Sequence, residues 1–239
     1  NGHCDETFSV VRDAFEANFL ADEELGASAA VTVDGQYVVD LWAGQRNHNG
    51  DPWERDTIVN VYSTTKTMAS ICILMLADRG VIDFQKPVAE YWPEFGSNGK
   101  DSVLVRHVMT HQTGCSGFPR PVTPEELYDH DLMAGLLAGM EPWWEPGTAP
   151  GYHAITQGTL QAELMRRIDG RTLGTFFRDE VTAPLGADFH IGLPLSEGHR
   201  VAQLDVPQEG IDQIVESDPD SIAARTFRSC RLDGTETET

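Results

Sequence analysis

The sequence predicts an α+β protein, in which an antiparallel sheet is flanked by helices and accompanied by a mainly helical subdomain. Three observations predict this class. Two β-prone runs near the N-terminus flank the turn Asp34-Gly35-Gln36, the middle of the chain has helical spacing of apolar residues, and little strand pattern follows. Because two or three strands are too few to cover a helix, we expect the sheet to be incomplete within this sequence.

The N-terminal part is expected to hold a helix and a hairpin. Apolar residues recur every four positions from Val11 to Phe19, which predicts a helix with one buried stripe from Ser9 onward. The β-prone runs cover residues 29–33 and 37–42. The Asp-Gly step between them is a strong short-range signal for a hairpin.

The middle of the chain is expected to be helical. Helical spacing runs from Ser63 to Asp78, directly after a β-like run at residues 58–61. Thr123-Pro124-Glu125-Glu126 combines a capping threonine, a proline at the first helical position and a glutamate that closes a capping box. A later helix ends at Asp169-Gly170, where glycine is the usual stop.

These patterns divide the chain into three expected regions. Residues 1–62 form the helix and hairpin of the α/β subdomain, and residues 63–194 form the mainly helical subdomain. Residues 195–239 are acidic and irregular, ending in a frayed run of alternating threonine and glutamate. We expect this last segment to lead toward the strands that the sheet still lacks.

Charge and cysteine usage restrict the possible partners. The 239 residues carry a net charge of -21, from 38 acidic and 17 basic side chains, and such a field repels nucleic acid and anionic lipid. No apolar run approaches the roughly 18 residues of a bilayer span. Four widely spaced cysteines form neither a zinc pattern nor a disulfide framework, which favours a reducing, cytoplasmic location.

The motif Ser-x-x-Lys occurs twice, at Ser63 to Lys66 and at Ser97 to Lys100, so its spacing alone decides nothing. Their contexts differ. The second copy lies in the turn-like stretch Gly96-Ser97-Asn98-Gly99, which has no rigid element to direct a side chain. The first copy opens the most apolar helix of the chain, and Lys66 is one of only three lysines.

Ser63 at a helix start meets what a serine nucleophile needs. The helix dipole and free backbone N–H groups there stabilise an oxyanion, and Lys66 lies one turn further on the same face. A lysine that takes the serine proton must have a lowered pKa, which burial beside an apolar helix favours. The alternative is an ordinary serine cap followed by a solvated lysine.

Tyr152 is the candidate third participant. It follows the Pro/Gly-rich stretch Glu145-Pro146-Gly147-Thr148-Ala149-Pro150-Gly151 and precedes a predicted helix. A phenol in that position can accept or relay a proton between a serine and a lysine. Taken alone, it could equally be a partly buried loop tyrosine.

Together these stretches resemble a known family. The chain resembles the serine β-lactamase and penicillin-binding-protein superfamily, and within it the family VIII carboxylesterases, which are related to class C β-lactamases. The resemblance covers most of residues 5 to 205 and is carried, in the family's order, by Ser63-Thr64-Thr65-Lys66, by 88–95 (VAEYWPEF), by 105–114 (VRHVMTHQTG), by Trp144-Glu145-Pro146-Gly147, by Tyr152-His153-Ala154 and by Pro184-Leu185-Gly186. It implies a β-lactamase/transpeptidase-like fold.

The resemblance also implies roles for single residues. Ser63 matches the acylated nucleophile, Lys66 its activating partner and Tyr152 the tyrosine of the second motif. Where β-lactamases have an asparagine two residues after that tyrosine, this chain has Ala154, as in the esterase branch. Losing that amide weakens recognition of a β-lactam side chain and favours plain esters.

Three further residues are candidate substrate contacts: Trp144, His153 and Tyr62. For Trp144 and its neighbour Trp143, a place in the aromatic core is an equal alternative. No cofactor is implied. His107 and His111 have the spacing of a helical zinc site, but the glutamate of zinc proteases and a third ligand are lacking, so polar packing is the preferred interpretation.

The third motif of the family is the main departure. In the family a Lys-Thr-Gly sequence or its His-x-Gly or Trp-x-Gly equivalent lies on a later strand, which supplies the second oxyanion-hole N–H. This sequence shows no such segment, so we expect either the N-terminal fragment of a longer or cleaved protein, with a C-terminal fragment of the same protein as a second chain, or a truncated form. Without it, low activity is expected.

The predicted function is ester hydrolysis by two-step acyl transfer. Ser63 attacks the carbonyl of a small-molecule, short-chain carboxylic ester, Lys66 and Tyr152 move the proton, and water releases the acyl group. A β-lactamase or D-alanyl-D-alanine peptidase is the alternative on the same fold. A non-catalytic, acyl-trapping binding or sensing module is the alternative from another class.

Overall fold

The computed structural model describes residues 1–21, 24–204 and 218–230. These residues fall into two compact units. The first contains the described residues 1–60 and 193–204, and the second contains 61–192 and 218–230. The expected frayed end after residue 230 lies outside the described residues, as does most of the acidic segment before residue 218.

The first unit is built on a small antiparallel sheet. Its described strands are β1 (Gly2–Cys4), β2 (Gly26–Val33) and β3 (Gln36–Gly44), in the order β1-β3-β2. The helix α1 (Ser9–Leu20) lies between β1 and β2 along the chain. The helix predicted from Ser9 onward is therefore confirmed as α1.

The hairpin between β2 and β3 is also confirmed. Val33 pairs with Gln36, so the loop consists of Asp34 and Gly35 alone. Both have positive φ, 50° and 75°, the backbone geometry in which a two-residue turn matches the twist of its strands. Glycine and aspartate tolerate that geometry best, which is why the sequence signal was reliable here.

Strand β1 has no counterpart in the sequence prediction. Gly2, His3 and Cys4 pair with Leu41, Asp40 and Val39 of β3. Gly2 has a φ of 101°, and a Cβ at that position would collide with the backbone oxygen of Asp40. The close approach of the two strands requires glycine there.

The β-like run at residues 58–61 does not become a strand in the described structure. Ile58 forms a single parallel bridge to Val201, with its N–H donating to the Arg200 carbonyl at 3.1 Å. The Ala202 N–H donates to the Ile58 carbonyl at 2.7 Å, and a 3-10 turn begins at Tyr62, directly after the run. A 3-10 turn, Leu195–Arg200, immediately precedes the bridging residue Val201.

The second unit is mainly helical in its described residues. Its described helices are α2 (Thr65–Asp78), α3 (Val105–Met109), α4 (Pro124–Leu127), α5 (His130–Gly139), α6 (Thr156–Asp169), α7 (Leu173–Phe177), α8 (Ala183–Leu185) and α9 (Ile222–Ser229). Single 3-10 turns occur at Val88–Glu90 and Pro93–Gly96, and a π turn at Arg178–Thr182. The described helices include none long and apolar enough to cross a bilayer.

The core of this unit forms where α2 packs against α6 and α7. Helix α2 buries Cys72, Ile73 and Leu76, and α6 buries Leu160 and Leu164 on its facing side. Each of the leucine and isoleucine side chains contributes roughly 1.5–3 kcal/mol when removed from water. This packing fixes both α2 and α6, the two elements that adjoin the candidate site.

Candidate active site

Ser63 lies at the entrance to α2. A 3-10 turn, Tyr62–Thr64, leads directly into the helix. Tyr62 has a positive φ of 43°, which is uncommon for a residue with a large side chain and marks a sharp bend just before Ser63. The bend exposes Ser63 at the end of a rigid helix, while Tyr62 itself is 46% exposed.

Lys66 reaches Ser63 from the first turn of α2. Its Nζ donates to Ser63 Oγ at 2.9 Å and to the backbone carbonyl of Ala154 at 2.6 Å. The lysine side chain is half-buried. Because the second contact uses a backbone oxygen, it does not depend on the side chain at position 154.

Tyr152 approaches Ser63 from the loop before α6. Its hydroxyl donates to Ser63 Oγ at 2.6 Å, and Lys66 Nζ lies 5.0 Å from the centre of the phenol ring. Burial raises the pKa of Tyr152, but hydrogen bonding with Ser63 and Lys66 and the positive charge of Lys66 outweigh it, so the pKa is lowered overall.

This arrangement brings the three predicted catalytic side chains together on one oxygen. Ser63 Oγ is within hydrogen-bond distance of both Lys66 and Tyr152. A lowered pKa favours the deprotonated form of the phenol, and a neighbouring positive charge stabilises that phenolate. A phenolate next to a serine hydroxyl can accept the serine proton. The geometry therefore suits nucleophilic attack by serine.

His153 lies behind the site rather than at its surface. The side chain is fully buried, and its Nδ1–H donates to the Gly151 carbonyl. Its Nε2 accepts from the Thr113 hydroxyl at 2.6 Å. Burial lowers the pKa of His153 to about 4, so the ring is neutral near pH 7. A fully buried side chain does not fit the predicted contact between His153 and substrate. His153 instead supports the loop around Tyr152 through its hydrogen bonds to Gly151 and Thr113.

Trp144 lines an apolar cavity next to Tyr152. The cavity has a volume of about 330 Å³, and its described lining includes Trp144, Tyr152, Ile222 and Phe227. Trp144 Nε1 donates to the Ala149 carbonyl at 2.8 Å, which fixes the indole against the loop. A larger and more open depression of about 660 Å³ surrounds His130 and contains none of the predicted site residues.

The second Ser-x-x-Lys copy has a structural role. Lys100 is fully buried, and its Nζ donates to the carbonyls of Ser97 and Met140. The Ser97 hydroxyl donates to the Ala138 carbonyl at 2.9 Å. This lysine therefore ties a turn to the end of α5, and it makes no hydrogen bond to the serine hydroxyl comparable to that of Lys66 with Ser63.

The two histidines at the spacing of a helical zinc site form hydrogen bonds with backbone N–H groups. His107 Nδ1 accepts from the Leu104 N–H at 3.2 Å, and His111 Nδ1 accepts from the His153 N–H at 3.1 Å. Across residues 1–21, 24–204 and 218–230, no cluster of three or more histidine, cysteine or acidic side chains could hold a metal ion. Both histidines therefore pack as polar side chains against the backbone.

Sequence reasoning missed two partners of the site: the Ala154 carbonyl that binds Lys66, and the His111 ring beside Tyr152. The first is a backbone atom and leaves no signal in residue types. The His111 ring lies in the stretch 105–114, which contributes to the family resemblance, but the resemblance assigns His111 no role. Only the fold brings it to Tyr152.

The beta-lactamase family profile matches residues 12–223, and the chain belongs to this family. It is 42% identical over 211 residues to the esterase/beta-lactamase LipL of Mycobacterium tuberculosis, covering 87% of this chain and 49% of that protein. The chain therefore spans about half the length of that curated relative.

Solved structures agree with this assignment. A family VIII carboxylesterase is 42% identical with a TM-score of 0.83, over 98% of this chain and 66% of that one. A penicillin-binding-protein homologue from Caulobacter crescentus is 43% identical with a TM-score of 0.83, over 87% of this chain and 56% of that one. The β-lactamase/transpeptidase-like fold is thus confirmed, with a partial sheet in the described residues.

Proposed function

We propose that this chain acts as a serine hydrolase that cleaves short-chain carboxylic esters through an acyl-enzyme on Ser63. One observation carries the proposal: Ser63 Oγ lies 2.9 Å from Lys66 Nζ and 2.6 Å from the Tyr152 hydroxyl. A serine hydroxyl is inert until a positioned base takes its proton, and these two groups provide the base and its charge partner.

The proposed cycle begins with the phenolate of Tyr152. It takes the Ser63 proton as Oγ bonds to the ester carbonyl carbon, and it returns that proton to the alcohol oxygen when the C–O bond breaks. A water molecule then attacks the acyl-enzyme and gives its proton to Tyr152. As the carboxylic acid leaves, the proton returns to Ser63 Oγ. Lys66 stabilises the phenolate throughout.

Esters are favoured over β-lactams by two features. Ala154 offers no side-chain amide to bind the amide of a β-lactam, and the cavity beside Tyr152 is mostly apolar. About 330 Å³ accommodates a short acyl or alkyl group. The names of two relatives, esterase/beta-lactamase LipL and Esterase EstB of Burkholderia gladioli, are consistent with this choice. Trp144 and Tyr62 remain the proposed substrate contacts.

Turnover of two chromogenic substrates separates the candidate functions. We expect hydrolysis of p-nitrophenyl butyrate to exceed that of a chromogenic cephalosporin, and Ser63→Ala to abolish both. Dominant cephalosporin turnover would replace the esterase proposal with a β-lactamase. Stable acylation of Ser63 without release of acid would support an acyl-trapping sensor instead.

We also propose a partner for this chain: a segment that carries the family's third motif and supplies the second oxyanion-hole N–H. The sequence shows no such motif, and LipL is about twice as long as the matched region. Intact-mass measurement of the protein purified from its native source tests this. A mass that includes further sequence, or a second polypeptide, supports it, whereas a fully active 239-residue chain alone contradicts it.

A cytoplasmic location is likewise proposed. Cys4, Cys72 and Cys115 form no disulfide, and burial raises the pKa of the Cys72 and Cys115 thiols to about 11, so both stay protonated near pH 7. Unpaired thiols are typical of a reducing compartment. Fractionation of the native cells tests this, and recovery outside the cytoplasm would contradict it.

A further inference from the structure

His111 makes three separate contacts with the segment that carries Tyr152. Its backbone carbonyl accepts from the Gly151 N–H at 2.9 Å, and its Nδ1 accepts from the His153 N–H at 3.1 Å. Its ring lies 5.0 Å from the Tyr152 ring, centroid to centroid. One residue thus contacts three consecutive positions, 151, 152 and 153.

The backbone of His111 is itself unusual. Its φ is 60°, in the left-handed region that residues with a side chain seldom adopt. In this conformation both the carbonyl and the ring of His111 face residues 151–153. Histidine, asparagine and aspartate are the side-chain-bearing residues most often found there.

We propose that His111 is a positioning residue that holds the Tyr152 phenol against Ser63. The inference rests on the proposed function, because it assigns His111 a part in the same acylation step. Tyr152 is 51% exposed and follows a Pro/Gly-rich loop, so its own packing leaves much of the phenol in solvent. The backbone on both sides of it is fixed through His111.

The hydrogen bond from the His153 N–H needs an unprotonated Nδ1 on His111. Burial, followed by the positive charge of Lys66, lowers the pKa of His111, so the neutral ring is maintained. The His111 ring also contacts the rings of Tyr152 and His153, and His153 is neutral near pH 7. The acceptor is therefore available at the pH at which Tyr152 must act.

Two substitutions separate the hydrogen bond from the ring contact. His111→Asn keeps an acceptor on a short side chain and tolerates the left-handed backbone. His111→Phe keeps an aromatic ring next to Tyr152 but has no acceptor for the His153 N–H. A matched control is His130→Phe, which removes a contact to buried Glu163 in the same unit, away from Ser63.

The first readout is the rate of Ser63 acylation by a fluorophosphonate probe. We expect His111→Phe to lower it by about tenfold to a hundredfold, since a shift of about 1 Å in a catalytic group has effects of that size. His111→Asn should stay within about threefold of wild type, because its acceptor is retained. His130→Phe should lose stability without losing acylation rate.

The second readout does not require activity. Ultraviolet titration of each protein, minus the same protein with Tyr152→Phe, isolates the ionisation of Tyr152. In His111→Phe the midpoint should rise toward the ordinary tyrosine pKa of about 10, as the phenol moves away from Ser63 and Lys66. In His111→Asn it should stay at the wild-type value.

The outcomes distinguish the two proposals. Equal labelling of wild type and Ser63→Ala overturns the proposed function, and the titration then decides the role of His111 alone. Labelling that is specific for Ser63 but equally fast in His111→Phe, with an unchanged Tyr152 midpoint, overturns the positioning role and leaves the hydrolase proposal standing.

Discussion

At the scale of single residues, the proposed chemistry depends on how the phenol of Tyr152 is placed. Burial by itself would raise its pKa and keep it protonated. The contacts with Ser63 and Lys66 reverse that effect and lower the pKa. In the proposed cycle Tyr152 is the base and the half-buried Lys66 is its charge partner, whereas the sequence interpretation assigned the role of base to the lysine.

Removing the charge of Lys66 tests this assignment. In Lys66→Met the pKa of Tyr152 should rise, so less phenolate is present at neutral pH. We expect the rate of Ser63 acylation at pH 7 to fall by about a hundredfold or more. The rate should also increase only at higher pH, with a midpoint nearer the ordinary value of about 10.

The measurement is the pH profile of fluorophosphonate labelling for wild type and Lys66→Met. Lys86→Met is a suitable control, because that lysine is half exposed and pairs with Glu90 on the surface. If both variants show the wild-type midpoint, the charge of Lys66 does not control Tyr152.

At the scale of elements, α6 is anchored by a buried carboxylate. The Glu163 side chain is 1% exposed and accepts from Arg166 Nε at 2.9 Å and from Arg167 Nε at 2.6 Å. The Nε2 atom of His130, at the start of α5, lies 2.9 Å from it. Burial raises the pKa of Glu163, but these partners outweigh it and lower the pKa to about 2. The helix that follows Tyr152 is thereby fixed to its neighbour α5.

The stability contributed by Glu163 should depend on pH. Its folded pKa lies below the unfolded value of about 4.5, so the contribution is complete above pH 4.5 and disappears as the pH falls toward 2. At pH 7 the difference corresponds to roughly 3 kcal/mol. We expect Glu163→Gln to lower the free energy of unfolding by about that amount at pH 7, and by progressively less below pH 4.5.

Urea unfolding of both proteins between pH 3 and pH 7 measures this difference. A deficit in Glu163→Gln that stays constant over the whole range would show that the ionised carboxylate is not its source.

A second test at this scale concerns the C-terminal cap of α6. Gly170 caps the helix with a φ of 86°, and no atom lies within 4 Å of a Cβ built there. The strain of Gly170→Ala therefore comes from the backbone alone. We expect it to lower the free energy of unfolding by about 1 kcal/mol, since a left-handed conformation costs an L-residue about that much.

Gly135→Ala is the matched control. Gly135 is exposed inside α5, and its Cβ would also meet nothing within 4 Å. With a helical backbone, alanine should raise the free energy of unfolding by about 0.5–1 kcal/mol. Thermal unfolding of the two variants should thus shift in opposite directions, and a shift in the same direction would contradict the capping argument.

At the scale of the whole molecule, the features that the sequence predicts are those with local causes. The hairpin follows from Asp34-Gly35, the cap of α4 from Thr123 and Glu126, and the end of α6 from Gly170. The three-residue spacing of Ser63 and Lys66 at the start of α2 brings their side chains within hydrogen-bond distance. In each case the residues that decide the geometry lie within a few positions of one another.

What the sequence does not reveal depends on distant contacts. Strand β1 exists only because β3 pairs with it, and the Ala154 carbonyl meets Lys66 across 88 positions of sequence. The burial of Lys100 and His153 likewise depends on backbone carbonyls and hydroxyl groups supplied by the fold. Residue types alone contain no signal for such contacts, since any residue supplies a backbone oxygen.

The most direct test of the account is covalent labelling of Ser63. The wild-type chain is treated with a fluorophosphonate probe, and the labelled residue is identified by intact mass and peptide mapping, with Ser63→Ala and the decoy variant Ser97→Ala in parallel. We predict one label per chain on Ser63 in wild type and Ser97→Ala, and none in Ser63→Ala. Equal labelling of wild type and Ser63→Ala, or a label mapped to another residue, would contradict the assignment of Ser63 as the nucleophile.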